Sequence, residues 1–292
     1  MLSREALKRV KRIEIGARRK VGTLFAGNYA SVFRGQGMTF SEVRPYQLGD
    51  DVRRIDWNVS ARSKDIYVKE FVEERELTLA LVVDVSASQR FGSRRGEKLR
   101  LAAELAALFA FTAIKNNDQV ALIAFSDRVE EFVPPKKGRK HVLRLINDIL
   151  EVRPLGQGTR WDQALTMADR VLRRRAVVIM ISDFVGMQEL THMKAFAKKH
   201  DVIPVWITDP MELALPNVGF LWVRDPETGQ ERFIDTSSSL VRDAYAQNVA
   251  TERERIQMIF RRAGMNPIDI VNGQDYTRQL FQYFRARQKR AL

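Results

Sequence analysis

Three short stretches of the chain carry side chains able to do chemistry together. Asp84-Val85-Ser86-Ala87-Ser88 closes an apolar run, Gly156-Gln157-Gly158-Thr159 is a glycine-rich turn, and Ile181-Ser182-Asp183 closes a second apolar run. Thr159 lies 75 positions beyond Asp84, and Asp183 a further 24. The set offers two carboxylates and three hydroxyls, with no His or Cys among them. Hard oxygen donors of this kind suit Mg²⁺, Mn²⁺ or Ca²⁺ and disfavour Zn²⁺. The Asp-x-Ser-x-Ser stretch alone reads more readily as a turn or helix cap than as a metal site, because Ser and Asp satisfy free backbone N–H groups. Three of them in order, each at the end of a strand or in the loop above it, point to an ion.

Other reactive patterns fail on inspection. Phe91–Lys98 has the look of a phosphate loop, but Glu97 separates Gly96 from Lys98 and no Ser or Thr follows. Gly156-x-Gly158 lacks the third glycine of a dinucleotide fingerprint. His141, His192 and His200 fall on helical patterns away from the oxygen set, and no Gly-x-Ser-x-Gly elbow is present. A chain without cysteine has no disulfide scaffold, thiolate metal site or cysteine nucleophile.

The elements that must position the oxygen set follow from periodicity. Continuous apolar runs at Leu77–Asp84, Gln119–Ser126, Ala176–Asp183 and Val202–Thr208 read as strands buried on both faces. Val129–Val133, closed by Pro134-Pro135, reads as an edge strand. Helical spacing covers Glu97–Lys115, Arg139–Glu151, Asp162–Arg174, Gln188–Lys199 and about Ser238–Ala263. A hairpin over Phe220–Ile234, a short strand Ile268–Val271 and a closing helix bearing Tyr276, Leu280 and Phe284 complete the pattern. Alternating strands and helices predict an α/β fold, a doubly wound, mostly parallel sheet with helices on both faces. Ligands of such sheets bind at the carboxyl ends of strands beside the point where strand order reverses. Upstream, Ser3–Ile15 predicts a short basic helix, and the glycine-broken stretch Gly16–Asp51 predicts short strands and turns. The expected division is therefore 1–76, an N-terminal helix with a β-rich lobe, and 77–292, the sheet domain.

Composition narrows the function further. The 292 residues are 45% hydrophobic and 29% charged, enough apolar material for a packed core. No apolar run approaches the roughly 18–20 residues of a membrane span, and Met1–Arg19 has no apolar signal segment, so a cytoplasmic protein without a span is expected. The net charge of +13 admits a nucleic-acid partner through clusters such as Lys136–Lys140 and Arg285–Arg290, but the excess is spread along the chain.

At Asp84, Ser86, Ser88, Thr159 and Asp183 the sequence resembles the von Willebrand factor A-type domain, whose metal-ion-dependent adhesion site (MIDAS) has the pattern D-x-S-x-S … T … D. The resemblance implies that Ser86, Ser88 and Thr159 touch one ion, most simply Mg²⁺, that Asp84 and Asp183 hold it mainly through water, and that one position stays open. Upstream, Phe40–Tyr46, Gly49-Asp50-Asp51-Val52-Arg53-Arg54-Ile55-Asp56-Trp57 and Tyr67–Phe71 resemble the bacterial domain-of-unknown-function family fifty-eight. Taken together the likeness runs from about Gly22 to Phe284. Members of that family commonly accompany MoxR-type AAA+ ATPases in assembling or maturing other proteins, which implies such an ATPase or its client as partner.

These strands of reasoning predict a non-enzymatic module that binds one divalent cation and through it an acidic residue of a protein. Gln89, Arg94, Arg95, Gln157, Arg160 and Phe184 are expected to flank the ion and share the interface. Asp50, Asp51, Arg53, Asp56 and Trp57 have two readings: a salt-bridge network docking the lobe, with Trp57 as an anchor, or, for the three acids, contacts to an ATPase partner or a second ion. Two other classes compete, a metal-dependent hydrolase using Asp84 and Asp183, which needs a general base, and a nucleic-acid binder.

Overall fold

The computed structural model describes residues 4–24, 39–63, 65–72, 77–92, 97–156, 158–188, 191–225 and 229–291. The chain divides into two compact units, one taking in Met1–Phe33 and Leu77–Leu292, the other Arg34–Glu76.

The larger unit is built on a six-stranded sheet. Its strands are β3 (Thr78–Asp84), β4 (Gln119–Phe125), β5 (Val129–Lys136), β6 (Val177–Ser182), β7 (Asp201–Thr208) and β10 (Ile268–Val271). Their order is β10-β7-β6-β3-β4-β5, parallel throughout except for β5, which runs antiparallel on β4. The chain fills one side of β3 first and then returns to fill the other. The order thus reverses beside β3 and β6, the strands that end in Asp84 and Ser182-Asp183. Doubly wound α/β topology is as the sequence predicts. β5 does not stop at Val133: Lys136 still pairs with Val120 through Pro134 and Pro135, which an edge strand tolerates because one flank needs no donors.

Alternation along β3 divides the core in two. Leu79, Leu81 and Val83 face one side, and Ala80 and Val82 the other. The first side is covered by α3 (Lys98–Lys115), α4 (Arg139–Glu151) and α9 (Thr277–Ala291), with Tyr276, Leu280 and Phe284 buried as their spacing predicts. The second is covered by α5 (Trp161–Val171), α6 (Met193–Lys199) and α8 (Ser239–Arg262). Between β7 and α8 lie α7 (Pro210–Leu213) and a separate hairpin, β8 (Phe220–Arg224) with β9 (Glu231–Asp235).

One boundary differs from the sequence reading. The first helix, α1, runs Arg4–Leu24, past Gly16, and belongs to the sheet domain instead of the lobe. Val10, Ile13, Ala17 and Val21 form a stripe at helical spacing that enters the same core as α3. A mid-helix glycine costs about 1 kcal/mol relative to alanine. Burying four apolar side chains at up to about 1.5–3 kcal/mol each for the larger ones outweighs it. Glu14, buried beside this stripe, is held by both Nε and Nη2 of Arg139 at the start of α4.

The smaller unit is an antiparallel pair, β1 (Thr39–Pro45) with β2 (Tyr67–Val72), connected through a 3₁₀ turn at Val52–Arg54 and α2 (Trp57–Ser60). Its acids at 50, 51 and 56 are bonded locally. Arg44 grips Asp50 with two bonds of 2.7 and 2.8 Å. Asp51 accepts from the Arg53 N–H, and Asp56 caps α2 through the amides of Asn58 and Val59 while pairing with Lys69. The dense run of acids and arginines is thus largely the turn and cap chemistry of this lobe, and Trp57 stands 69% exposed.

Candidate metal centre at the sheet's carboxyl rim

Asp84 is the last residue of β3 and is fully buried. Its Oδ1 accepts the Ser86 N–H (2.9 Å), and its Oδ2 accepts the Ser182 hydroxyl (2.6 Å) from the end of β6 and the Gln89 side-chain amide (3.4 Å). Burial and the neighbouring Asp183 charge push the Asp84 carboxyl up to about 7, against the pull of these hydrogen bonds.

The two serines follow on a short 3₁₀ turn, Ala87–Arg90. Ser86 Oγ and Ser88 Oγ stand 3.1 Å apart, and the Ser88 hydroxyl donates to Asp183 Oδ2 at 3.1 Å. Asp183 is aimed by a tight turn in which the next residue, Phe184, has φ +54. That conformation costs a non-glycine residue roughly 1–2 kcal/mol. It is held because the Phe184 N–H bonds Ser182 Oγ and the ring is wedged among Trp161, Trp206 and Phe260, with centroids 5.0, 6.0 and 5.0 Å away. The Val185 N–H closes the turn on Asp183 Oδ1.

Thr159 sits on the loop over β4, next to β3. The Arg160 N–H bonds Ser126 O just past β4, while Glu130 accepts from the amides of Leu155 and Gly156 and from Ser126 Oγ. A Cβ at Gly156 would run into the side chains of Asp127 and Ser126, so a larger residue there would have to displace them. Asp84, Ser86, Ser88 and Asp183 are therefore joined by hydrogen bonds, and Thr159 is carried by an anchored loop on the adjoining strand.

The donor set fits a small hard cation. Two oxygens sharing an octahedral Mg²⁺ at about 2.1 Å lie roughly 3.0 Å apart, close to the Ser86–Ser88 separation. Gln89 Oε1 is buried beside Asp84 with no hydrogen-bond partner, an acceptor open to a donor such as ion-bound water. Among the described residues no group of three or more His, Asp or Glu side chains could hold a metal, so the fit rests on hydroxyls.

The family model for "Protein of unknown function DUF58" matches residues 42–255. This chain belongs to the DUF58 family. An uncharacterized protein of Mycobacterium tuberculosis and another of Mycobacterium bovis are each 30% identical to this DUF58 protein over 286 residues, covering 97% of this chain and 90% of theirs. Similar solved structures include the conserved hypothetical protein BatB from Bacteroides thetaiotaomicron, at 17% identity and TM-score 0.47 over 73% of this chain and 99% of that one. The SpRpn10 VWA domain aligns at 9% identity and TM-score 0.39 over 72% and 95% of the two chains. No described helix is long and apolar enough to cross a membrane.

The flanking residues expected from the sequence of this DUF58 protein fare unevenly. Phe184 is fully buried because its left-handed turn directs the ring into the core, so it cannot face a partner. Gln89 is also fully buried, bonded to Asp84. Arg160 is exposed and paired with Asp162. Arg94, Arg95 and Gln157 lie outside the described residues.

Sequence reasoning missed two residues of the DUF58 rim. Lys98, the first residue of α3, is fully buried, with Nζ 2.6 Å from Asp183 Oδ2 and a second, very short bond to Glu212 Oε1. Burial works against its charge, but Asp183 and Glu212 outweigh it and hold the ammonium firmly protonated. Glu212 follows β7 on α7, where its Oε2 accepts the Asp209 N–H in a capping box. A detectable signal existed: Lys98 shares a helix face with Leu101, Ala102 and Leu105, an apolar stripe on which a lysine is out of place.

Proposed function

We propose that this DUF58 protein is a non-enzymatic binding module that takes one divalent cation, Mg²⁺, at Asp84, Ser86, Ser88, Thr159 and Asp183 and uses it to hold an acidic residue of a protein partner. The observation that carries the reading is the pair of serine hydroxyls 3.1 Å apart, tied to Asp183 and backed by a buried Asp84. A dication bound there would supply an electrophilic charge to which a carboxylate of the partner adds. The chain's own residues hold and orient: the Phe184 turn aims Asp183, the Ser182 hydroxyl fixes Asp84, and Thr159 would add its hydroxyl from between the anchored Gly156 and Arg160. The resemblance to family fifty-eight makes a MoxR-type AAA+ ATPase, or its client, the partner to test first.

The three histidines lie away from the rim. His141 Nε2 contacts Val120 O (2.8 Å), and His200 Nδ1 accepts the Ala176 N–H (3.2 Å), both at the amino ends of strands. His192 caps α6. None stands at the rim where a general base would be needed.

The test is capture of the purified ATPase on immobilised protein with Mg²⁺, after chelation, and after Mg²⁺ is restored. Binding should vanish with chelator, return with the ion, and be lost in Ser88→Ala. Capture that is indifferent to chelator would overturn the metal-bridged reading.

A further inference from the structure

The carboxyl rim carries a polar chain that crosses four strands of the sheet. Ser86 and Ser88, after β3, lead to Asp183 after β6. Asp183 leads through Lys98 to Glu212 after β7, and Asp209 leads on to Asn272 after β10. Lys98 is the link between the two halves. It is 0% exposed, while Glu212 keeps 27% of its side chain accessible. A buried ammonium is costly unless its partners are ionised and close. Here two carboxylates share it, and one of them belongs to the candidate ion site.

We propose that Lys98 is a positioning residue and built-in counter-cation of the rim, orienting Asp183 and, through its sharing with Glu212, setting how tightly a divalent cation is held. The proposal rests on the metal reading above. Its physical content is charge arithmetic over a few ångströms in a poorly screened site. Asp183 bonded to an ammonium attracts a dication less than a bare carboxylate does. Glu212 restores part of that attraction by drawing on the same ammonium and adding its own negative charge. The two residues therefore act on the ion with opposite sign, although both contribute to one buried ion pair.

Mg²⁺ titration by calorimetry on the full chain tests this, with folding checked by circular dichroism. Glu212→Gln should weaken Mg²⁺ binding by roughly tenfold or more, and Lys98→Met should tighten it by a similar factor. The double variant Lys98→Met with Glu212→Gln, which leaves the net charge of the rim unchanged, should return close to the wild-type affinity. A merely structural ion pair predicts otherwise: both single variants weaken binding or leave it alone, and the double variant does not recover. That result would overturn the assignment. If Lys98→Met does not fold, Glu212→Gln and the double variant carry the decision: an unweakened Glu212→Gln, or a folded double variant no tighter than it, overturns the proposal. No uptake by the wild-type chain would remove the metal reading and this proposal together, whereas wild-type uptake with unmoved variants removes this proposal alone.

Discussion

The two ends of the same six-stranded sheet handle buried ionisable groups in opposite ways. At the amino end the groups stand apart from one another: His200 accepts the Ala176 N–H on Nδ1 while its buried Nε2 has no hydrogen-bond partner, Arg287 bonds Asp201 and Tyr283, and His141 reaches Val120 O. Burial drives His200 down to about 4, so it stays neutral. At the carboxyl end Asp84, Asp183 and Glu212 crowd together, Lys98 bonds two of them, and Asp84 is pushed up to about 7. Ionisable groups whose environments perturb one another cluster at functional sites more often than isolated ones do, and the crowding at the carboxyl end accords with the proposed ion site there.

The comparison can be broken from the packing side first. Phe184→Ala should destabilise the fold by about 3–5 kcal/mol, because the ring fills the space between Trp161, Trp206 and Phe260 beneath the rim. Denaturant unfolding measures this, and a loss under about 1 kcal/mol would mean the rim is not held in place by that packing. At the amino end, His200 should cost stability on acidification. Its folded value lies below the ordinary 6.5, so the unfolded chain binds the extra proton. Stability should fall as pH drops from about 6.5 to about 4 and flatten below, by about 3 kcal/mol in all. A His200→Gln variant should lose that slope, and an unchanged slope would contradict the assignment.

The rim should respond in the other direction. Asp84→Asn removes a buried charge, keeps an acceptor for the Ser86 N–H, and lets the Gln89 amide turn its unpartnered oxygen toward the new NH₂. In chelator near pH 8 the variant should be more stable than wild type by about 1 kcal/mol, while losing Mg²⁺ binding. A destabilised variant would show that Asp84 serves the fold instead. The smallest effect is expected at Trp222 on the hairpin, 70% exposed: Trp222→Ala should shift unfolding by no more than about 0.5 kcal/mol.

How much of this could be read from the sequence depends on the range of the interaction. Buried parallel strands announce themselves as apolar runs, and Asp84 and Asp183 stand at the ends of two of them. The charged segment Asp50–Asp56 is also a local matter, since its acids cap turns two or three residues away. What escaped were features set by tertiary packing. Gly16 marks a helix end by propensity, yet α1 continues because its stripe is buried. Phe184 reads as a flanking contact, but one left-handed backbone torsion turns it inward. The Lys98–Glu212 pair joins residues 114 positions apart, and no periodicity encodes which glutamate a buried lysine will meet.

Calorimetric titration of Mg²⁺ into wild-type protein and into Ser86→Ala bears most directly on the rim as an ion site. One site should saturate in the wild type, with little or no heat from the folded variant. Equal heats in both proteins, or none in either, would contradict it.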